Sequence, residues 1–159
     1  LLTRQQTFLV APKNGGGWDA WKGALSRLLD SLISGPTHCL VLTQEPTERY
    51  VQLIVGHDGV RIEVSGNLYL TGDFQLGPTD DRCLAKLGFQ PGDEDGHDGV
   101  AVGNWWMQQR PAHPIWIAEL VAFALVEIAA FERDWPITID MFGCSSPCTS
   151  CAWGAPATN

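Results

Sequence analysis

Apolar residues first recur at helical spacing. Trp18, Trp21, Leu25, Leu28, Leu29 and Leu32 stand at i, i+3, i+7, i+10, i+11 and i+14, one stripe on a 3.6-residue period. Asp19 suits a first turn and Gly35-Pro36 stops the element, so the pattern predicts a helix over 18–33. The period then changes to two. His38–Thr43 is β-rich, Glu45-Pro46-Thr47 is a turn, and residues 50–55 and 60–64 flank Asp58-Gly59, a dipeptide suited to a tight hairpin. Pairing His57 with Val60 sets Val55 opposite Ile62 and Leu53 opposite Val64. Val51, Leu53, Val55, Val60, Ile62 and Val64 then share one face, and Gln52, Arg61 and Glu63 the other.

Gly66-Asn67 signals another turn, followed by a third strand at 68–70. Pro78-Thr79-Asp80-Asp81 opens a short helix with Leu84 and Leu87 inward, ended by Gly88. Residues 90–99 form an acidic, glycine-rich loop and 104–107 a short strand. Pro111 and Pro114 introduce a long helix over 113–133, interrupted only by Glu119 and Glu127 before Glu132, and so either buried or in contact with another protein. The order is that of an α+β domain: helix, three-stranded antiparallel meander, short helix, strand, long helix. Three segments are expected: a flexible N-terminal lead at 1–17, the domain at 18–135, and a Cys/Ser/Thr-rich tail at 136–159. The domain should fold without the tail, although Ile137, Ile139, Met141 and Phe142 alternate enough to form an edge strand.

Composition narrows the function. At 159 residues, 45% hydrophobic and 18% charged, the chain suffices for one domain with its own core. A net charge of −8, with Lys and Arg scattered, argues against nucleic-acid binding. The longest apolar stretch, 115–131, is short for a bilayer and contains Glu119 and Glu127, so no membrane span is expected. The N-terminal residues lack the apolar core of a secretion signal and the five cysteines are an odd number, so reduced thiols and a cytoplasmic location are expected.

Chemical motifs are few. Gly-His-Asp-Gly-Val occurs at 56–60 and 96–100, but the first copy is accounted for by a hairpin turn and no further ligand stands at a supporting spacing. The acidic run 93–98 departs from a calcium loop, since His97 occupies a ligand position. No Walker loop, GxGxxG or local triad is present, so no catalytic residue, metal or cofactor is assigned. Trp105 and Trp106 are adjacent in a strand and must point to opposite faces, which leaves one free as an aromatic anchor. Together with Tyr50 they are the candidate partner-binding residues.

The tail carries Cys144, Ser145, Ser146, Cys148, Thr149, Ser150 and Cys151, a C-x3-C-x2-C spacing with no charge after Asp140. That spacing equals the cluster motif of radical S-adenosylmethionine enzymes, whose barrel has no room here. Three readings remain for the tail: an inert segment, a thiolate site for metal or redox chemistry, and the core of a ribosomally made, post-translationally modified peptide whose folded leader is the preceding domain.

Four stretches sit on this order of elements: Arg49-Tyr50-Val51-Gln52, Val64-Ser65-Gly66-Asn67, Leu84-Ala85-Lys86-Leu87-Gly88-Phe89 with Pro91, and Asn104-Trp105-Trp106. Together they resemble the type III secretion chaperone-like superfamily (YbjN-type), in particular its actinobacterial peptide-binding branch, over about residues 18–133. The resemblance implies a curved antiparallel sheet backed by helices, often dimeric, that binds a peptide segment of a client without catalysis. It implies two strands after the short helix, of which the pattern supplies one. The leading expectation is therefore a non-enzymatic peptide- or protein-binding chaperone-like domain, with homodimerisation expected. A modified-peptide precursor is the alternative and a small metal-binding protein the third reading.

Overall fold

Alternation along the strands becomes the two sides of one sheet. The structure is a computed structural model and describes residues 4–13, 16–57, 59–92 and 103–144. In chain order the elements are β1 (Arg4–Val10), α1 (Gly17–Leu32), β2 (His38–Thr43), β3 (Val51–Gly56), β4 (Gly59–Val64), α2 (Pro78–Leu87), β5 (Trp105–Gln109), α3 (Pro114–Phe123) and β6 (Ile137–Cys144). The six strands form one antiparallel sheet in the order β1-β6-β2-β3-β4-β5. Leu40, Leu42, Val51, Leu53, Val55, Val60, Ile62, Val64, Ile137, Ile139 and Met141 line its inner side, all fully buried. The α1 stripe (Trp21, Leu25, Leu28, Leu29, Leu32) and Ile117, Val121 and Leu125 close the same core. Short local signals end α2: Asp80 accepts from the Gly77 N–H at 3.0 Å, and Gly88 takes the left-handed conformation (φ 98°) that closes its C-terminus.

The hairpin keeps its predicted face but shifts its register by two. Val55 pairs with Val60, Leu53 with Ile62 and Val51 with Val64, and Gly56 faces Gly59 across the turn. A shift of two preserves parity, so the six aliphatics still point inward. Gly59 belongs to the ladder rather than to the turn. At φ 107° it lies against the Gln109 carbonyl, where any Cβ would collide.

The strand expected at 68–70 is instead a 3-10 turn, Asn67–Tyr69. The Asn67 side chain explains it: Oδ1 accepts from Leu76 N–H at 2.6 Å and Nδ2 donates to Leu76 C=O at 3.0 Å. This local clamp replaces a ladder, and β5 takes the place beside β4.

Both ends of the chain are corrected as well. The lead at 1–17 contains β1, and the segment set apart as tail contains β6, which lies between β1 and β2 rather than at an edge. Pairing explains this: β6 bonds to β2 on one side and β1 on the other, and Ile137, Ile139 and Met141 reach zero exposure. The fold therefore extends beyond 18–135.

The long helix also ends early. After Phe123 it widens into a π turn, Ala124–Ile128, and the chain leaves through Ala130 at φ 59°. Ala129 N–H reaches the Ala124 carbonyl and Phe131 N–H that of Leu125, both at 2.8 Å. Nor is it buried all round. Ile115, Trp116 and Phe123 are exposed beside Glu119, which ties α3 to α1 through Lys22 at 3.0 Å.

Candidate functional site

All the described helices contribute to the core on the inner side, and no described helix packs against the outer one. The outer face is read off by parity: Thr7 and Leu9 on β1, Asp140 and Phe142 on β6, Cys39 and Val41 on β2, Gln52 and Ile54 on β3, Arg61 and Glu63 on β4, Trp106 and Gln108 on β5. Apolar and aromatic side chains are frequent there, a composition unlike a merely solvated face.

Near the β5 edge this face carries a built polar group. Glu63, which shares the hairpin's polar face with Gln52 and Arg61, is nonetheless fully buried. Its Oε1 accepts from Arg61 Nε at 2.8 Å, and its Oε2 accepts from Gln52 Nε2 at 3.0 Å and Asn104 Nδ2 at 3.3 Å. A buried carboxylate requires such partners, because its uncompensated charge would be costly away from water. The Arg61 guanidinium also lies 4.3 Å from the Trp106 ring centroid, a cation–π contact set by the pairing of Glu63 with Trp106 and of Arg61 with Gln108. The arginine is thus held from two sides.

Asn104 links this group to Tyr50. Its Oδ1 accepts from the Tyr50 hydroxyl at 3.1 Å and from Gly66 N–H at 3.2 Å. Gly66 has no room for a side chain, since a Cβ would run into the Gly103 carbonyl. Burial holds the Tyr50 hydroxyl above its ordinary pKa, against the opposing hydrogen bond with Asn104. Burial likewise raises the Cys39 thiol, with the Glu63 charge adding to it. Leu68 and Tyr69, both exposed, lie over Gly103 at the same end.

Of the candidate residues, Tyr50 and Trp106 come together on the outer face, while Trp105 turns inward and packs against the core. Arg61, Glu63, Gln52, Asn104 and Tyr69 were not singled out in the sequence. Their signal was available only in part, as the polar face of the hairpin and as the Asn preceding the tryptophan pair. Cys144 closes β6, paired with Arg4. Ser145, Ser146, Cys148, Thr149, Ser150 and Cys151 lie outside the described residues, as do Asp58 and the second Gly-His-Asp-Gly-Val copy. Among the described residues no three His, Cys, Asp or Glu side chains converge as a metal site, and no helix is long and apolar enough to cross a membrane.

Residues 12–143 match the model of a family described as T3SS (YopN, CesT) and YbjN peptide-binding chaperone 3, TY-Chap3. The match covers most of the chain and ends just before Cys144. No curated protein and no solved structure matches.

Proposed function

The chain belongs to the T3SS/YbjN peptide-binding chaperone 3 family, whose members are non-enzymatic peptide-binding chaperones, and from that premise we propose that a client segment lies on the outer sheet face, across Trp106, Ile54 and Tyr50. The observation that carries this is the outer face, against which no described helix packs, with its immobilised Arg61–Trp106–Glu63 group. Flat apolar ground next to a fixed aromatic and a fixed cation is what an extended peptide can use. Trp105 supports the face from beneath rather than touching the client. The test is site-specific photo-crosslinking of purified full-length chain, with Ile54→p-benzoylphenylalanine on this face and Ile115→p-benzoylphenylalanine on α3 as the control. Peptide adducts at 54 that disappear with Trp106→Ala support the reading. Adducts at 115 alone would move the client to the helices.

The same proposal includes a homodimer, built by a second copy on the exposed α3 stripe of Ile115, Trp116 and Phe123. Sedimentation velocity tests it, since Trp116→Glu should leave a monomer. We also place the chain in the cytoplasm and in the actinobacterial branch. Half-buried, unpaired Cys39 and Cys83 favour the first, and the residues quoted for the resemblance favour the second.

A further inference from the structure

One end of the outer face differs from the rest in charge. At the turn end of the β3–β4 hairpin, a cleft of about 250 Å³ runs across four strands, from Thr37 before β2 to Arg110 after β5. Its polar lining among the described residues is Thr37, His57, Arg61, Gln108 and Arg110, with no carboxylate among them. In a chain of net charge −8, two guanidinium groups and an imidazole gathered at one cleft run against the global balance.

The arginines are placed by the fold. The Arg61 side chain is only 14% exposed, fixed by Glu63 and Trp106, and its Nη2 is buried without a hydrogen-bond partner among the described residues. Such a donor carries an unmet cost that an acceptor at the cleft could relieve. Arg110 lies against Gly59, where a Cβ would stand 3.1 Å from its Cγ, so the glycine that sets the hairpin register also makes room for the second cation. Arg110 has no carboxylate within ion-pair distance among the described residues. Glu63, the nearby acid, is occupied by Arg61, Gln52 and Asn104.

We propose that this cleft, lined by Arg61, Arg110, His57, Thr37 and Gln108, is a carboxylate-binding subsite that anchors a peptide lying on the outer face. Guanidinium groups pair with carboxylates through parallel N–H donors, and a hydroxyl and an amide beside them complete the oxygen's coordination. The subsite rests on the peptide-binding reading and deepens it, giving the client an acidic anchor beside the apolar ground at Ile54 and Trp106.

The test is an NMR titration of the full chain, following the Arg61 and Arg110 Nε–Hε signals and the Ile54 and Trp106 amides. Three peptides are used, with acetate and inorganic phosphate as small-anion probes: the pentapeptide Ac-Ala-Val-Ala-Val-Ala with a free carboxylate, the same peptide amidated, and the amidated peptide with glutamate at its centre. Both carboxylate-bearing peptides should move the arginine signals and the neutral amide should not. The tighter of the two assigns the carboxylate to the chain end or to a side chain. Arg110→Gln, a change at an exposed position, should weaken binding about tenfold, with Arg110→Lys partly restoring it. Equal binding of neutral and acidic peptides overturns the subsite, as does an arginine response to inorganic phosphate alone. If the neutral peptide still moves Ile54 and Trp106, peptide binding survives that loss. If acetate moves the arginines while no peptide moves any outer-face amide, the carboxylate site stands and the peptide reading falls.

Discussion

Arg49 donates from Nη1 to the carbonyl of Ile128 at 2.7 Å, joining the approach to β3 to the end of the π turn after α3. The same guanidinium donates from Nε to Phe74 C=O at 2.6 Å and from Nη2 to Gln75 C=O at 2.8 Å, with the Asp80 carboxylate 3.6 Å away. One side chain thus satisfies three carbonyls at turn and helix ends, which would otherwise be left without donors. Arg49→Met should lower unfolding free energy by about 3 kcal/mol, and Arg49→Lys should recover less than half, because an ammonium cannot reproduce the fork. Urea titration checks both. Wild-type stability in Arg49→Met would mean that these bonds contribute nothing net.

That clamp also marks what the sequence made legible. Periodicity placed α1, the hairpin face and α2, because each uses local signals: a 3.6-residue stripe, a period of two, and a proline start with a glycine stop. Arg49 and Asn67 were visible as parts of a family motif, but not their partners Ile128 and Leu76, which only the folded chain brings near. The turn at 67–69 was misread for the same reason, since a leucine-tyrosine-leucine run looks like a strand until the Asn67 clamp is known. β1 was missed and β6 was legible only as an alternating run with the look of an edge strand, because the two pair across more than a hundred residues and no turn chemistry announces that pairing. At the site, Tyr50 and the tryptophan pair were legible as candidate aromatics, but which of Trp105 and Trp106 faces outward was not. Nor was the burial of Glu63, because it depends on Asn104 and Gln52 arriving from other segments.

The hairpin separates packing from charge. Ile62→Ala, which empties a fully buried position, should cost roughly 2–5 kcal/mol. Arg61→Thr would be nearly neutral on a solvated face, but here it strips the buried Glu63 of its cation and should cost about 1–3 kcal/mol. Adding Glu63→Gln to Arg61→Thr should restore part of that loss, a coupling that a double-mutant cycle in denaturant reads directly. Strict additivity would show that the two side chains do not depend on each other.

The Tyr50 hydroxyl gives a pH signature. Its pKa in the folded state lies above the ordinary 10.0, so the folded chain holds the proton more tightly than the unfolded chain. The resulting stability is fully present below about pH 10 and is lost as pH rises through the folded value. Absorbance at 295 nm should therefore resolve a late-ionising tyrosine, removed by Tyr50→Phe. A single component at the ordinary value in the folded chain would contradict the burial of this hydroxyl.

Cys39 offers the corresponding chemical probe. Burial and the Glu63 charge both disfavour its thiolate, the reactive form. Iodoacetamide at pH 8 should modify it more slowly than a cysteine in an unfolded peptide, and Glu63→Gln should speed the reaction. A rate unaffected by Glu63→Gln would leave burial as the whole cause.

Truncation decides where the domain ends. Removing everything after Trp135 deletes β6, the strand that holds β1 and β2 in one sheet, and with it Ile137, Ile139 and Met141, each with zero exposure. Emptying even one such position typically costs about 2–5 kcal/mol, and three together approach the whole stability of an ordinary domain, about 5–15 kcal/mol. β1 would also lose its only partner strand among the described residues. The 1–135 chain should accordingly fail to melt cooperatively. The 1–144 chain keeps every described strand and should melt within a few degrees of the full-length protein, since it keeps every described residue of the core cluster. Thermal melts of the two truncations beside the full chain make the comparison. A cooperative transition in 1–135 close to that of the full chain would mean the sheet closes without β6. If 1–144 is as stable as the whole, any modification or metal found on Cys148 or Cys151 belongs to a segment the fold does not need, and a client still held by 1–144 places peptide binding in the folded domain and not in the residues after Cys144.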